Sequence, residues 1–158
     1  MVTVYNMYDK GKGIYLHQER VCECTDVVNT PENAEIVLRT VFNTDILPEE
    51  HLYLLAINSK GNVNGVFEVS HGGVSDAYFN PGSIIKRALL VNARSVIVAH
   101  NHVSGDCFPS TEDIAACRRL KEACKIIGID LADFLVVGKN RIDNNSGSFY
   151  SFRQNEML

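Results

Sequence analysis

Apolar and polar positions follow one another along this chain in two rhythms. Short apolar runs at residues 52–58, 95–99 and 131–137 read as buried strands. Residues 63–70 are β-prone, and Ser59-Lys60-Gly61-Asn62 supplies a turn, so 52–58 and 63–70 form a hairpin. The second rhythm is helical. Thr30-Pro31-Glu32 opens one helix, with threonine as cap and proline in the first turn. Ala34, Val37, Leu38, Val41 and Phe42 keep helical spacing to about Asn43. Asn80-Pro81-Gly82-Ser83 opens a second helix through about Asn92, carrying Ile84, Ile85, Ala88, Leu89 and Val91. A third runs from Thr111 to about Ile127, with Ile114, Ala115, Cys117, Leu120, Ala123, Cys124 and Ile127 as its buried stripe and Gly128 as its stop.

The remaining stretches are less regular. Residues 1–13, with Asp9-Lys10-Gly11-Lys12-Gly13, read as a flexible arm or turn, and 14–24 as an irregular strand. Gly72-Gly73 breaks the second hairpin strand, residues 139–147 form a polar loop, and 148–152 a short final strand. Strands and helices alternate around an antiparallel hairpin, which predicts an α/β fold with a mixed sheet flanked by helices. Residues 1–30 are expected to be an N-terminal arm on a single domain of residues 31–158.

Composition supports a globular core: of 158 residues, 46% are hydrophobic and 22% charged. No apolar run approaches the ~20 residues of a membrane span. The start, Met1-Val2-Thr3-Val4-Tyr5-Asn6, lacks a secretory signal, so a cytoplasmic location is expected. A net charge of −4 and a pI near 5.7 argue against a dedicated nucleic-acid binder. Lys86-Arg87, Arg118-Arg119 and Lys121 read as solvated helix faces, so any DNA binding is expected to be weak. Five cysteines form no disulfide-like framework. Cys22 and Cys24 share a strand face, and Cys117 and Cys124 share the core face of the third helix.

The chemistry concentrates at residues 100–113, His-Asn-His-Val-Ser-Gly-Asp-Cys-Phe-Pro-Ser-Thr-Glu-Asp. Strand side chains two apart point to one side, so His100 and His102 can reach a common point at a strand end. Asp113 lies on the first turn of the next helix. Ser-x-x-Asp before an apolar run is by itself an acidic helix-capping pattern, and capping is compatible with a ligand role for the aspartate. Two imidazoles and a carboxylate make a catalytic zinc set, three protein donors with the fourth position left to water. Cys107 is a possible soft fourth donor, disfavoured because hydrolysis needs that position open.

His-x-His, seven residues, Ser, two residues, Asp is the signature of the JAMM (MPN-type) metalloproteases. Ala99-His100-Asn101-His102-Val103-Ser104-Gly105-Asp106, then Pro109-Ser110-Thr111-Glu112-Asp113-Ile114 and Arg118-Arg119-Leu120, resembles the RadC branch of that group from about Glu50 to about Arg153. The resemblance implies a curved sheet flanked by helices, similar to the cytidine-deaminase architecture, and Zn2+ on His100, His102 and Asp113. It implies a general base upstream, for which Glu50 is the choice, with Glu49 the runner-up and Glu68 a poorer match. It implies that Ser110 donates a hydrogen bond to the attacking water or the developing oxyanion. Longer RadC proteins carry an additional N-terminal helical region, and the residues before Pro31 are too few to hold it.

Two departures stand out. Val103 replaces the proline of His-Asn-His-Pro-Ser-Gly, which is expected to loosen the loop. Phe134 replaces the histidine of Leu-x-Asp-His, in Leu131-Ala132-Asp133-Phe134. The function implied is zinc-dependent hydrolysis of a peptide or isopeptide bond in a protein or peptide substrate. The alternatives are a DNA-repair-associated nuclease or accessory factor, and a non-catalytic zinc-bearing interaction module. A zinc deaminase needs His-x-Glu and Pro-Cys-x-x-Cys, and the sequence has neither.

Overall fold

A computed structural model describes residues 1–72, 79–139 and 149–158. Among the described residues ten elements follow in order: β1 (Val2–Asp9), β2 (Ile14–Cys22), α1 (Pro31–Phe42), β3 (His51–Ile57), β4 (Val63–His71), α2 (Pro81–Leu90), β5 (Ser95–Asn101), α3 (Thr111–Ile127), β6 (Asp130–Val137) and β7 (Phe149–Ser151). The strands form one mixed sheet in the order β2-β1-β4-β3-β5-β6-β7. The β1–β4 and β5–β6 pairs are parallel and the other neighbours antiparallel. The predicted α/β class and mixed sheet with flanking helices are therefore what the chain forms.

The central strands are apolar throughout because both faces of the sheet are covered. On β3, Tyr53, Leu55 and Ile57 face one core with Ala34, Val37, Leu38 and Val41 of α1. Leu52, Leu54 and Ala56 face the other, with Ile84 and Ala88 of α2 and Cys117, Leu120 and Cys124 of α3. Among the described residues no helix is long and apolar enough to cross a membrane.

The helix signals act where the sequence places them. Thr30 Oγ1 accepts from Asn33 N, and Asn43 closes α1 in the left-handed conformation at φ 53°. α2 ends two residues short of the expected Asn92. Asn92 itself turns left-handed, at φ 54°, and Ala93 N donates to Ala88 O across the helix end.

Three expectations need correction. Residues 2–9 are a strand, hydrogen-bonded to β2 along its length, so only the glycine turn between them fits the arm reading. Ala115 and Ile127 are exposed and Ala116 is buried, so the core stripe of α3 is phased differently from the one expected. The final strand comprises Phe149–Ser151, and Phe152 lies just past its end. Gly73, Ser148 and most of the polar loop expected at 139–147 lie outside the described residues.

Candidate metal centre

Strand parity and one helix turn assemble the site. His100 is the penultimate residue of β5 and shares a face with Val96 and Val98. The parallel ladder continues past the strand, since His102 N donates to Val137 O at 2.9 Å. Extended geometry thus persists to His102 and turns it to the same side. Gly105, at φ 85°, folds the chain back, with its N donating to His102 O and Lys139 N donating to its own carbonyl. Pro109-Ser110 then delivers the chain to α3, whose first turn carries Asp113.

The three side chains converge. His100 Nε2 and His102 Nε2 stand 2.9 Å apart, and they lie 3.1 and 3.4 Å from Asp113 Oδ1 and Oδ2. Two donors each ~2.0–2.1 Å from a tetrahedral zinc stand ~3.3 Å apart, so these separations suit one small cation. His100 and Asp113 are buried and His102 is half-buried.

Hydrogen bonds set the ligand atoms. His102 Nδ1 lies 2.8 Å from Asp106 O, which can only accept, so Nδ1 carries a proton and Nε2 is the nitrogen that faces the centre, where it donates to Asp113 or, deprotonated, could bind a metal. Ser110 N and Oγ donate to Asp113 Oδ2 at 2.7 and 2.8 Å, and Asp113 N donates to Ser110 Oγ at 3.1 Å. That is a reciprocal capping box, in which the aspartate's capping bonds also hold its carboxylate toward the two imidazoles. The Ser110 hydroxyl is thereby committed to Asp113 in this structure.

Electrostatics agree with the geometry. Burial alone would raise the Asp113 carboxyl, but hydrogen bonds from both imidazoles and the Ser110 amide hold it well below the usual carboxylate range. The hydrogen bond to Asp113 raises His102, and the charge of Glu50 adds to that effect. Glu50 therefore sits near enough to be felt at the centre. It is half-buried just before β3, whereas Glu49 is exposed. Glu68 points elsewhere, contacting His71 at 2.9 Å.

Two further features bear on the expected departures. The loop with Val103 is held despite the missing proline, because Asp106 N donates to Ser104 Oγ and Asp106 Oδ1 accepts from Phe108 N. Phe134 is buried, with its ring 5.7 Å from that of His100 and 5.1 Å from that of Phe152. It packs against the strand end that carries His100, at the position where the resembling pattern has a histidine.

Comparison with known proteins settles the relationship. The RadC-like JAB domain model matches residues 28–157. The chain belongs to this family. A UPF0758 protein of Clostridium perfringens is 32% identical over the whole chain, which covers 63% of that protein. One of Coprothermobacter proteolyticus is 35% identical over 80% of this chain and 54% of its own length. One of Carboxydothermus hydrogenoformans is 42% identical over 59% of this chain and 41% of its own. The chain thus spans from about two fifths to under two thirds of these relatives' length.

Two arrangements are not visible in the sequence. Asn101, between the histidines, is buried and bonded to the backbone on both sides of Glu50. His51, Glu68 and His71 gather on β3 and β4. Both depend on cross-strand register, which local pattern does not reveal.

Proposed function

We propose that this chain is a zinc-dependent hydrolase of the JAMM type that cleaves a peptide or isopeptide bond. The convergence of His100 Nε2, His102 Nε2 and the Asp113 carboxylate on one point carries this reading. Those three residues would hold the ion, which supplies Lewis acidity and lowers the pKa of a water from about 15.7 towards ~7.

The chain's own groups do the rest. The Nδ1–H bond to Asp106 O fixes the ring of His102, and Phe134 packs against that of His100. Ser110 holds the carboxylate of Asp113 and caps α3. With substrate present, its hydroxyl turns to the developing oxyanion, a donor placed where negative charge grows. Glu50 accepts a proton from the attacking water and returns it to the leaving nitrogen.

Metal analysis and one isosteric substitution test the reading. His102→Ala should hold about one equivalent of zinc less than the wild type. Glu50→Gln should keep fold and zinc yet lose ~10²–10⁴-fold in cleavage of peptide or isopeptide substrates, because an amide cannot take the proton. Equal zinc in wild type and His102→Ala would overturn the centre. Full activity in Glu50→Gln would remove Glu50 as the base.

A further inference from the structure

A second group of metal-type donors lies on the other face of the sheet. His51 opens β3 and His71 closes β4, and the two are paired directly across the antiparallel ladder. Residues so paired point to the same face. Glu68 lies three positions before His71, and in a regular strand an odd spacing would send it to the opposite face. The ladder is not regular there. Leu52 pairs with Ser70 but Tyr53 pairs with Glu68, so Val69 is an extra residue, a bulge in β4. The bulge absorbs the odd position and returns Glu68 to the side of His51 and His71.

The resulting geometry is that of a ligand set. Glu68 Oε1 lies 2.9 Å from His71 Nδ1 and 3.5 Å from His51 Nδ1. One donor atom from each of the three residues falls within 4.8 Å of the others. His51 stacks nearly parallel on Tyr53, with an interplanar angle of 4°, which fixes the ring in the first core's face of the sheet. His51 Nδ1 is shielded from solvent and has no hydrogen-bond partner among the described residues. A shielded, unpaired polar nitrogen is costly, and a cation would satisfy it. Glu68 and His71 also border a cavity of about 570 Å³. Val4, Tyr5 and Asn6 of β1 line it as well, next to the one registered β1–β4 pair, Val4 with Val66. The outer side of the cluster is therefore accessible to an ion and to the waters that complete its shell.

We propose that His51, Glu68 and His71 form a second cation site, distinct from the centre at His100, His102 and Asp113. Two imidazoles and one carboxylate select a divalent transition ion such as zinc, cobalt or nickel over magnesium or calcium, which favour all-oxygen shells. The ion would tie the start of β3 to the end of β4 on either side of Glu50, whose carbonyl already accepts from Gly72 N at 2.9 Å. Its role is to brace the strand ends that carry that glutamate.

The test is zinc stoichiometry of the full chain, measured by elemental analysis after equilibrium dialysis against micromolar zinc. Wild type, Glu68→Gln and His71→Asn are compared, with millimolar magnesium present throughout. Each variant should hold one equivalent less than wild type. All three chains share His100, His102 and Asp113, so the difference reads the second site whatever the first one holds. The His71 side chain is 64% exposed, so this substitution leaves folding intact even if that of Glu68 does not. A full wild-type complement in either folded variant would overturn the site.

Discussion

Asn101 and His51 are joined across the sheet: His51 N donates to Asn101 Oδ1 at 2.8 Å, and Asn101 Nδ2 donates to Glu49 O at 2.9 Å. One buried amide thus grips the main chain on both sides of Glu50 while its neighbours in sequence, His100 and His102, reach the opposite face. The middle residue of His-Asn-His couples the proposed base to the proposed ligands. Asn101→Asp keeps the shape and the bond from His51 N but sets a carboxylate oxygen against Glu49 O. It should retain zinc and lose ~10²-fold in kcat, the scale of a ~1 Å misplacement. Asn101→Ala orphans two backbone groups and should also cost ~1–3 kcal/mol of stability. Unchanged turnover in Asn101→Asp would show that Glu50 needs no such clamp.

Metal removal should be visible without any substrate. An ion that binds only the folded chain stabilises it by about 2.7 kcal/mol at a free concentration ~100-fold above Kd. For a chain of this size that corresponds to roughly 5–10 °C in Tm. A chelator should remove this increment from the wild type. Asp113→Asn, which keeps a capping oxygen but loses the charge, should show a clearly smaller difference between zinc and chelator than the wild type. An undiminished zinc shift in that variant would exclude Asp113 as a ligand.

The convergence of His100, His102 and Asp113 was legible because it is a local matter. His100 and His102 share a strand face, and Asp113 is on the first turn after a recognisable cap. The same aspartate explains the misphased helix. It is buried at a core-facing position of α3, in line with Ala116, Cys117, Leu120 and Cys124. A carboxylate in an apolar stripe hides the true phase, so Ala115 and Ile127 look like core positions when read from periodicity. Asn101 and the His51–Glu68–His71 cluster were not legible, because they rest on the β3–β5 and β3–β4 registers and on a one-residue bulge at Val69. β1 escaped notice for another reason. It lies next to the edge strand, and Tyr5, Asn6 and Met7 are only half-buried, so its apolar alternation is weak.

The cysteines should divide into two groups. Cys117 and Cys124 are buried against the sheet, and burial pushes their thiols up to about 12 and about 11. Only the thiolate reacts readily, so at about pH 8 both should resist a thiol reagent in the native protein. Cys22, Cys24 and Cys107 are partly exposed and should react, Cys24 and Cys107 slowly because burial raises them too. A thiol-counting assay should find three groups in the native state and five after denaturation. Five reactive thiols in the folded chain would mean that α3 does not cover its core as described.

Gly105 tests whether the turn behind His102 positions the ligand. Its φ of 85° is in the left-handed region, and an added Cβ would come within 3.3 Å of Lys139 Cβ. Alanine in that conformation costs ~1–2 kcal/mol, and the contact with Lys139 must also be relieved. The chain can escape only by rotating the Gly105 peptide, which carries the bonds to His102 O and from Lys139 N. Asp106 follows directly, and its carbonyl holds the Nδ1 proton of His102. Disturbing such an outer partner of a ligand typically weakens metal binding ~10–100-fold. Gly105→Ala should therefore lower both Tm and zinc affinity. Gly105→Asn carries the same Cβ but tolerates positive φ better, so it should recover part of both losses. Zinc affinity equal to wild type in Gly105→Ala would show that His102 is oriented by β5 and Val137 O alone.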